Sequence, residues 1–203
     1  MAAQTVYLLH TALDSYKPKI WRRVLVSPSM KLSHLAYMLM ILYEMEGSHL
    51  FNFYSPDSKE YYALKSGNLV NDFDDDDTKN AASTSIKKVL LFTSQKIIFT
   101  YDFGDSWEII ITLEDIITDS DTPVKKLPCV LKGKGYGIIE DCGGVPGLES
   151  IAEAFKKKEG QEYEQFCEWL GTIELDLKTF DAGKMNLALK DSITELEEFY
   201  EGD

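Results

Sequence analysis

Residues 97–113, IIFTYDFGDSWEIIITL, contain the pattern that decides the fold of this 203-residue chain. Two runs rich in β-branched and aromatic residues flank the polar segment DFGDS, which is typical of two antiparallel strands joined by a turn. Within the turn, we expect Gly104 to adopt a positive φ and Asp102 and Asp105 to accept hydrogen bonds. Because both runs are strongly apolar, the hairpin is predicted to lie at the centre of a sheet.

The segments before this hairpin predict four more strands and a helix. Residues 5–13 and 20–26 are rich in strand-forming residues and flank a Lys-Pro turn, which favours a first hairpin. Residues 49–54 alternate in the manner of a strand, and residues 60–64 are expected to pair with them. Between these two pairs, apolar residues recur at helical spacing, and Ser33 is placed to cap that helix.

Helices are expected to complete the chain. A short helix over residues 86–91, capped by Ser85 or Thr84, is predicted before the central hairpin. After residue 147, two or three segments have apolar residues at helical spacing, and Asp181 is placed to cap the last one. The expected fold is therefore α+β: a single domain with a mixed, largely antiparallel sheet, one helix packed after the second strand, and C-terminal helices.

Three segments lack a regular pattern. Residues 71–77, NDFDDDD, repel one another and predict a solvated loop. Residues 118–147 are rich in Pro and Gly, and long irregular connections of this kind often carry function. Residues 191–203 form an acidic C-terminal tail, which we expect to fray from residue 195 onward.

The charge of the chain argues against a protein that binds nucleic acid directly. Lys and Arg total 21 against 34 Asp and Glu, which gives a net charge of −13, whereas nucleic-acid affinity relies on clustered basic residues. The expected partner is instead an unknown protein or small ligand. The longest apolar run, residues 37–43, is too short to span a bilayer, so no membrane association is expected.

The first residues and the cysteines favour a cytoplasmic location. Residues 1–4 lack the basic and apolar regions of a signal peptide. Cys129, Cys142 and Cys167 are an odd and sparse set, unlike the even, dense pattern of a disulfide-stapled secreted domain. We therefore expect free thiols in a cytosolic protein.

Four sequence blocks, taken in order, carry a family resemblance. They are KPKIWRRV at 17–24, the helix and strand at 32–53, YDFGDSW at 101–107 and EDCGGVPG at 140–147. Together they resemble the plasmid pRiA4b ORF-3-like family over residues 5–190, which would form the domain. Two departures are the isoleucines at 138–139, where the family usually has two prolines, and the segment 46–48, which replaces a common aromatic residue.

The resemblance implies an α+β fold, with a β-grasp-like arrangement as one form of it. It implies no activity. The plasmid association of the family is the sole basis for considering a role in mobile-element DNA transactions.

Eight residues in these blocks form the candidate functional cluster. Their side chains carry charge or can bind metal: Arg22, Arg23, His49, Asp102, Asp105, Glu140, Asp141 and Cys142. Adjacent residues of a strand point to opposite faces, so at least one arginine is expected on the covered side with a carboxylate partner from this cluster. We interpret this pairing as a structural lock on the irregular connection. An anion-binding arginine is the alternative.

The same cluster could support metal or thiol chemistry. Carboxylates and an imidazole can hold a divalent metal, and the thiol of Cys142 could ligate it or act as a nucleophile. However, the sequence lacks a metal-spaced pair such as His-Glu-x-x-His or Cys-x-x-Cys. No cofactor is predicted, and a divalent metal remains an alternative.

Three functional hypotheses follow from these patterns. The leading one is a non-catalytic binding or interaction module that uses the loops at residues 102–106 and 140–147, because binding residues concentrate in loops. The second is a metal-assisted hydrolase, although the sequence favours a protein that is not an enzyme. The third is an accessory protein in mobile-element DNA transactions.

Overall fold

A computed structural model of the chain describes residues 4–69, 77–119 and 126–202. Within these ranges it has eight strands and four helices. The strands are β1 (Gln4–Leu13), β2 (Trp21–Val26), β3 (Phe51–Ser55), β4 (Glu60–Ala63), β5 (Lys79–Asn80), β6 (Lys96–Tyr101), β7 (Trp107–Asp119) and β8 (Cys129–Lys134). The helices are α1 (Leu32–Leu42), α2 (Gly144–Lys157), α3 (Gln161–Leu170) and α4 (Ala182–Glu201). The predicted α+β class is confirmed.

The strands form one mixed sheet in the order β5-β4-β3-β6-β7-β1-β2-β8. Every described neighbouring pair is antiparallel except β4 and β5, which are parallel. The β6–β7 hairpin occupies the fourth and fifth positions, so its predicted central place is confirmed. Sequence-adjacent strands pair as β1–β2, β3–β4 and β6–β7, as the turn patterns indicated.

Helix α1 follows β2 and is buried almost completely. Nine of its eleven residues are buried, because it is covered by the sheet and by α4. The predicted helix is confirmed, but its predicted cap is wrong. Lys31 occupies the N-cap position and makes no side-chain cap hydrogen bond, whereas Ser33 lies inside the helix and is buried. Packing rather than capping therefore fixes where this helix begins.

The other helices follow the sequence patterns. Asp181 caps α4 as predicted, because its carboxylate accepts hydrogen bonds from the backbone of Gly183 and Lys184. The helix predicted over residues 86–91 is shorter, a single turn of 3₁₀ helix over Ile86–Lys88, and its predicted cap is wrong, because the N-cap residue Ser85 makes no side-chain cap hydrogen bond. No helix in the described ranges is both long enough and apolar enough to cross a bilayer.

Residues 195–202 are ordered, so the fraying predicted for this part of the tail is wrong, and residue 203 lies outside the described residues. Helix α4 is continuous across residue 190 and ends at Glu201. Tyr200 is fully buried. The centroid of its ring lies 5.4 Å from that of Tyr37 in a stacked arrangement and 5.6 Å from that of Phe51 in an edge-to-face arrangement. An apolar anchor of this size at the end of the chain offsets the repulsion among the acidic residues around it.

The segment 118–147 is more regular than its sequence indicated. Strand β7 extends through Thr118 to Asp119, and β8 occupies the edge of the sheet beside β2. Residues 135–143 remain irregular. The predicted acidic loop at 71–77 lies, except for Asp77, outside the described residues.

Candidate functional site

The register of β3 against β6 places His49 beside Asp102. Phe51 pairs with Tyr101, so the residues just before β3 meet those just after β6. The backbone N–H of Asp102 donates to the carbonyl of Leu50 at 3.0 Å, which holds the start of the β6–β7 turn against this entrance to β3. Two residues that are 53 positions apart in sequence thus become neighbours.

The segment carrying Glu140 is attached to the end of α1 and brings Glu140 beside His49. The N–H of Ile138 donates to the carbonyl of Tyr43 at 2.9 Å, which fixes the segment to the end of α1. The carboxylate of Glu140 then accepts a hydrogen bond of 2.6 Å from the N–H of Glu46 and one from the hydroxyl of Tyr101. Only 4% of its side chain is exposed, and this burial raises the pKa of Glu140.

His49 lies between carboxylates on both sides of its ring. Its Nε2 is 3.5 Å from Glu140 Oε2, and its Nδ1 is 3.8 Å from Asp102 Oδ1. One ligand atom each from His49, Asp102 and Asp141 can be chosen so that all three lie within 4.8 Å of one another. We call His49, Asp102, Glu140 and Asp141 the His49 site.

The backbone of the site is strained at two of these positions. Asp102 has a φ of +54° and Asp141 a φ of +59°. Such left-handed conformations cost a non-glycine residue about 1–2 kcal/mol each, and they cluster at functional sites. The sequence predicted a positive φ at Gly104 instead, and this was wrong: Asp102 and Ser106 adopt it in the turn. Asp102 does accept the expected turn hydrogen bond, from the N–H of Gly104 at 2.9 Å.

Asp105 and Cys142 join the turn to the loop that follows Glu140. Asp105 Oδ2 accepts a hydrogen bond from the N–H of Gly143 at 3.2 Å, rather than from within its own turn. Gly144 approaches the carbonyl of Asp105 so closely that a Cβ would overlap it. Burial, followed by the charge of Asp105, raises the pKa of Cys142 to about 11. The thiol is therefore protonated at neutral pH and is a poor nucleophile.

Arg22 lies outside this site, which corrects its predicted pairing with a carboxylate. Its guanidinium is fully buried and donates to four main-chain carbonyls, those of Trp21, Leu42, Lys134 and Tyr136. It makes no ion pair with any described residue. The carbonyl of Leu42 belongs to the last residue of α1, where the helix dipole favours a cation. Burial lowers the pKa of Arg22 to about 10, so it remains charged at neutral pH.

Aromatic rings complete the surroundings of Arg22. Its guanidinium lies 3.9 Å from the ring centroid of Phe180 and 4.8 Å from that of Tyr43. A Cβ at Gly133 would lie 2.7 Å from the Phe180 ring and 2.8 Å from Arg22 Cδ. Gly133 therefore permits this stacking, and Arg22 locks residues 134–136 onto the sheet through carbonyls rather than through the predicted ion pair.

Arg23 faces the opposite side of the sheet and also lies apart from the His49 site. It forms a two-pronged ion pair with Glu114 of β7, and both side chains are about one-third exposed. The prediction that adjacent arginines point to opposite faces is confirmed. The predicted carboxylate partners are wrong, because Glu114 was not among them.

Tyr101 and Tyr200 support the site and were missed from the sequence. The Tyr101 hydroxyl accepts from the N–H groups of Gly47 and Ser48 at 3.1 Å each and donates to Glu140. The Tyr200 hydroxyl donates to the carbonyl of His49 at 2.6 Å. Tyr101 directly precedes the turn and could have been suspected for that reason, but nothing in the sequence links Tyr200 to residue 49.

A second group of side chains that could bind a metal lies between two helices and makes several contacts within the protein. His34, Glu197 and Glu201 lie close together between α1 and α4. Glu197 contacts His34 Nε2 at 2.9 Å and Lys31 at 3.6 Å, and Glu201 accepts from the Tyr37 hydroxyl at 3.0 Å. These contacts join the two helices and make this group a structural one.

The eight-stranded sheet with three antiparallel pairs of sequence-adjacent strands, the buried α1 and the acidic loop cluster around one histidine make this a single-domain α+β protein. The sequence pattern of the plasmid pRiA4b ORF-3-like protein family matches residues 5–187. The chain belongs to this family.

Two relatives extend the comparison. The uncharacterized protein y4hQ of Sinorhizobium fredii is 27% identical over 188 residues, which cover 92% of each chain. A crystal structure of a protein of unknown function from Methanosarcina mazei matches with a TM-score of 0.76 and 26% identity, covering 90% of this chain and 97% of that one. Both resemble nearly the whole chain, and neither description states an activity.

Proposed function

We propose that this protein is a non-catalytic binding module whose ligand at the His49 site is a divalent transition-metal ion such as Zn²⁺ or Mn²⁺. The observation that carries the proposal is the placement of His49 between Glu140 and Asp102. When the imidazole is neutral and Nε2–H faces the Glu140 carboxylate, the lone pair of Nδ1 faces Asp102. The lone pairs of His49 Nδ1 and of the Asp102 carboxylate then face each other with no proton between them. A cation bound between these two atoms would replace their repulsion with attraction to both.

Glu140 would act as a supporting residue rather than a ligand. In many metal sites a carboxylate accepts the hydrogen bond from the far nitrogen of a ligating histidine and fixes the ring. Buried Glu140, itself held by Glu46 and Tyr101, is placed for this role. His49 Nδ1, Asp102 and Asp141 would then supply one nitrogen and two carboxylate ligands, a set that suits zinc and manganese.

The surface around the site also favours a cationic ligand. Asp102, Asp105, Glu140 and Asp141 converge there, and the two arginines predicted to join them lie elsewhere. A phosphate backbone would be repelled by such a surface.

Calorimetric titration of metal-stripped protein with Zn²⁺ and with Mn²⁺ tests the proposal. We expect one ion per chain and a loss of affinity of at least about tenfold in His49→Ala, which removes a ligand, and in Asp141→Asn, which replaces an anionic ligand with a weaker neutral oxygen. His10→Ala and Asp57→Asn, which alter the same residue types away from the site, should bind as the unmodified protein does. Absence of stoichiometric uptake, or equal uptake by His49→Ala, would refute the proposal.

A metal-assisted hydrolase is the second candidate. The exposure of Asp141 favours it, because an ion held at this edge would keep coordination positions open to water. The protonated thiol of Cys142 argues against a thiol mechanism. Chromogenic phosphate and carboxylate esters hydrolysed by the metal-loaded protein faster than by the free ion, and not by the His49→Ala variant, would favour the hydrolase over the binding module.

A further inference from the structure

A cleft of about 820 Å³ lies on a different part of the molecule from the His49 site. It is bounded by the β1–β2 loop at residues 16–18, by one face of α2 and by the segment 175–178 that precedes α4. No residue of the His49 site lines it. Its volume is within the range of clefts that hold small organic ligands, about 300–1,000 Å³.

The inner part of the cleft is apolar and well fixed. Tyr16 and Phe155 contribute their rings and are only 5% and 6% exposed. The rings of Phe155 and of Tyr163 in α3 pack edge to face with their centroids 5.4 Å apart, which holds the Phe155 ring in place. Ala152 and Leu177 also line the cleft. An apolar ligand body would therefore meet a preformed surface rather than mobile side chains.

The rim of the cleft is basic in comparison with the rest of the chain. Four lysines and three carboxylates line it, whereas the whole chain has 21 basic and 34 acidic residues. Two of these lysines have acidic partners, Lys156 with Glu153 and Lys158 with Glu174. Neither Lys17 nor Lys178 makes an ion pair with a residue that the structure describes.

Most of the acidic lining is already engaged. Asp176 accepts hydrogen bonds from the N–H groups of Lys178 and Thr179 and from the Thr179 hydroxyl. Glu153 contacts both Lys156 and Lys157. Lys17 and Lys178 are thus the lining lysines that no ion pair within the described residues engages, while Asp176 still carries its negative charge near Lys178 and Glu149 is a further carboxylate on the lining.

We propose that this cleft binds a small organic anion with an aromatic or branched apolar body. The body would pack on Tyr16 and Phe155, and the anionic group would lie at the rim between Lys17 and Lys178. This site is independent of the His49 site and would remain if that site held no metal.

A matched pair of fluorescent probes tests both parts of the proposal. Anilinonaphthalene sulfonate has an aromatic body with an anionic group, and N-phenyl-1-naphthylamine has the same rings without it. We expect one saturable site for the sulfonate on the folded, full-length protein and about tenfold weaker binding of the neutral probe, because two exposed lysines each contribute a factor of about two to five. Added salt should weaken binding of the sulfonate alone.

Variants separate the cleft from other surfaces. Ala152→Trp fills the cleft and should abolish binding of both probes. The double variant Lys17→Glu with Lys178→Glu should weaken sulfonate binding about tenfold or more and change neutral-probe binding less than twofold. Its control, Lys87→Glu with Lys88→Glu, makes the same change in net charge at exposed positions away from the cleft.

Two results would overturn the proposal: unchanged sulfonate binding in the Lys17/Lys178 double variant, or equal affinity for both probes. Should Ala152→Trp fail to fold, the double variant decides alone, since both of its lysines are exposed.

Discussion

Arg22→Met should lower the free energy of unfolding by about 4 kcal/mol, because four main-chain carbonyls, one buried and three partly buried, each lose a hydrogen bond that contributes about 1 kcal/mol. The donor–acceptor distances are 2.7 Å to Tyr136, 2.8 Å to Lys134, 2.9 Å to Trp21 and 3.0 Å to Leu42. Methionine fills much of the space but donates no hydrogen bond, so the buried carbonyl of Leu42 loses this donor and the three partly buried carbonyls lose theirs. A change of this size is a large part of the stability of an ordinary domain, about 5–15 kcal/mol.

Equilibrium unfolding in guanidinium chloride, followed by tryptophan fluorescence, measures this change. With a denaturant slope of about 5 kcal/mol/M, the midpoint should fall by about 0.8 M. Arg22→Lys should cost about half as much, because the charge remains but the planar group and its stacking on Phe180 are lost.

The adjacent residue supplies the matched control. Arg23→Met removes an arginine from the same strand, but its ion pair with Glu114 is partly exposed, so the loss of stability should be only a small fraction of that of Arg22→Met. Equal losses for the two variants, or a loss below 1 kcal/mol at Arg22, would refute the structural role assigned to its carbonyl contacts.

Three further predictions concern the support of the His49 site. Tyr200→Phe should cost about 1 kcal/mol in chemical denaturation, because it removes the hydrogen bond to the His49 carbonyl. Glu140 has a raised pKa in the folded protein, which therefore binds the proton more tightly than the unfolded chain. The contribution of Glu140 to the free energy of unfolding should therefore fall as pH rises from the pKa of the unfolded chain through that of the folded protein. Glu140→Gln should remove this dependence of the unfolding free energy on pH, as measured by chemical denaturation across that range. Gly147→Ala should cost more than about 2 kcal/mol or prevent folding, because a Cβ there would overlap the Cys142 carbonyl; a melting temperature unchanged from that of the unmodified protein would contradict this.

The elements of the fold were largely predictable because they depend on local periodicity. The apolar runs of β-branched and aromatic residues at 97–101 and 107–113 predicted strands, and the polar segment between them predicted a turn, so β6 and β7 could be placed before any tertiary contact was known. The helical spacing of α1 was equally local. The end of the chain was misjudged because its composition is acidic, whereas a single ring, that of Tyr200, anchors it in the core.

The candidate site was predicted in part. The sequence grouped eight residues by chemistry and by block, and the structure brings six of them together around the turn and the following loop. The two arginines were placed with them because a buried charge was expected to require an opposite charge. Main-chain carbonyls and a helix C-terminus satisfied Arg22 instead, and strand register gave Arg23 a partner in β7.

The sequence by itself determined the order and type of most of the elements, although not of β5 and β8, together with the central hairpin and the family, because these follow from residue periodicity and from short blocks that need no tertiary context. Only the tertiary structure decided which charged groups meet. A hydrogen bond or ion pair depends on separations of a few ångströms between segments far apart in the chain, and these are set by strand register and core packing. For this reason the lysine-lined cleft and the two carboxylates facing His49 emerge only in three dimensions.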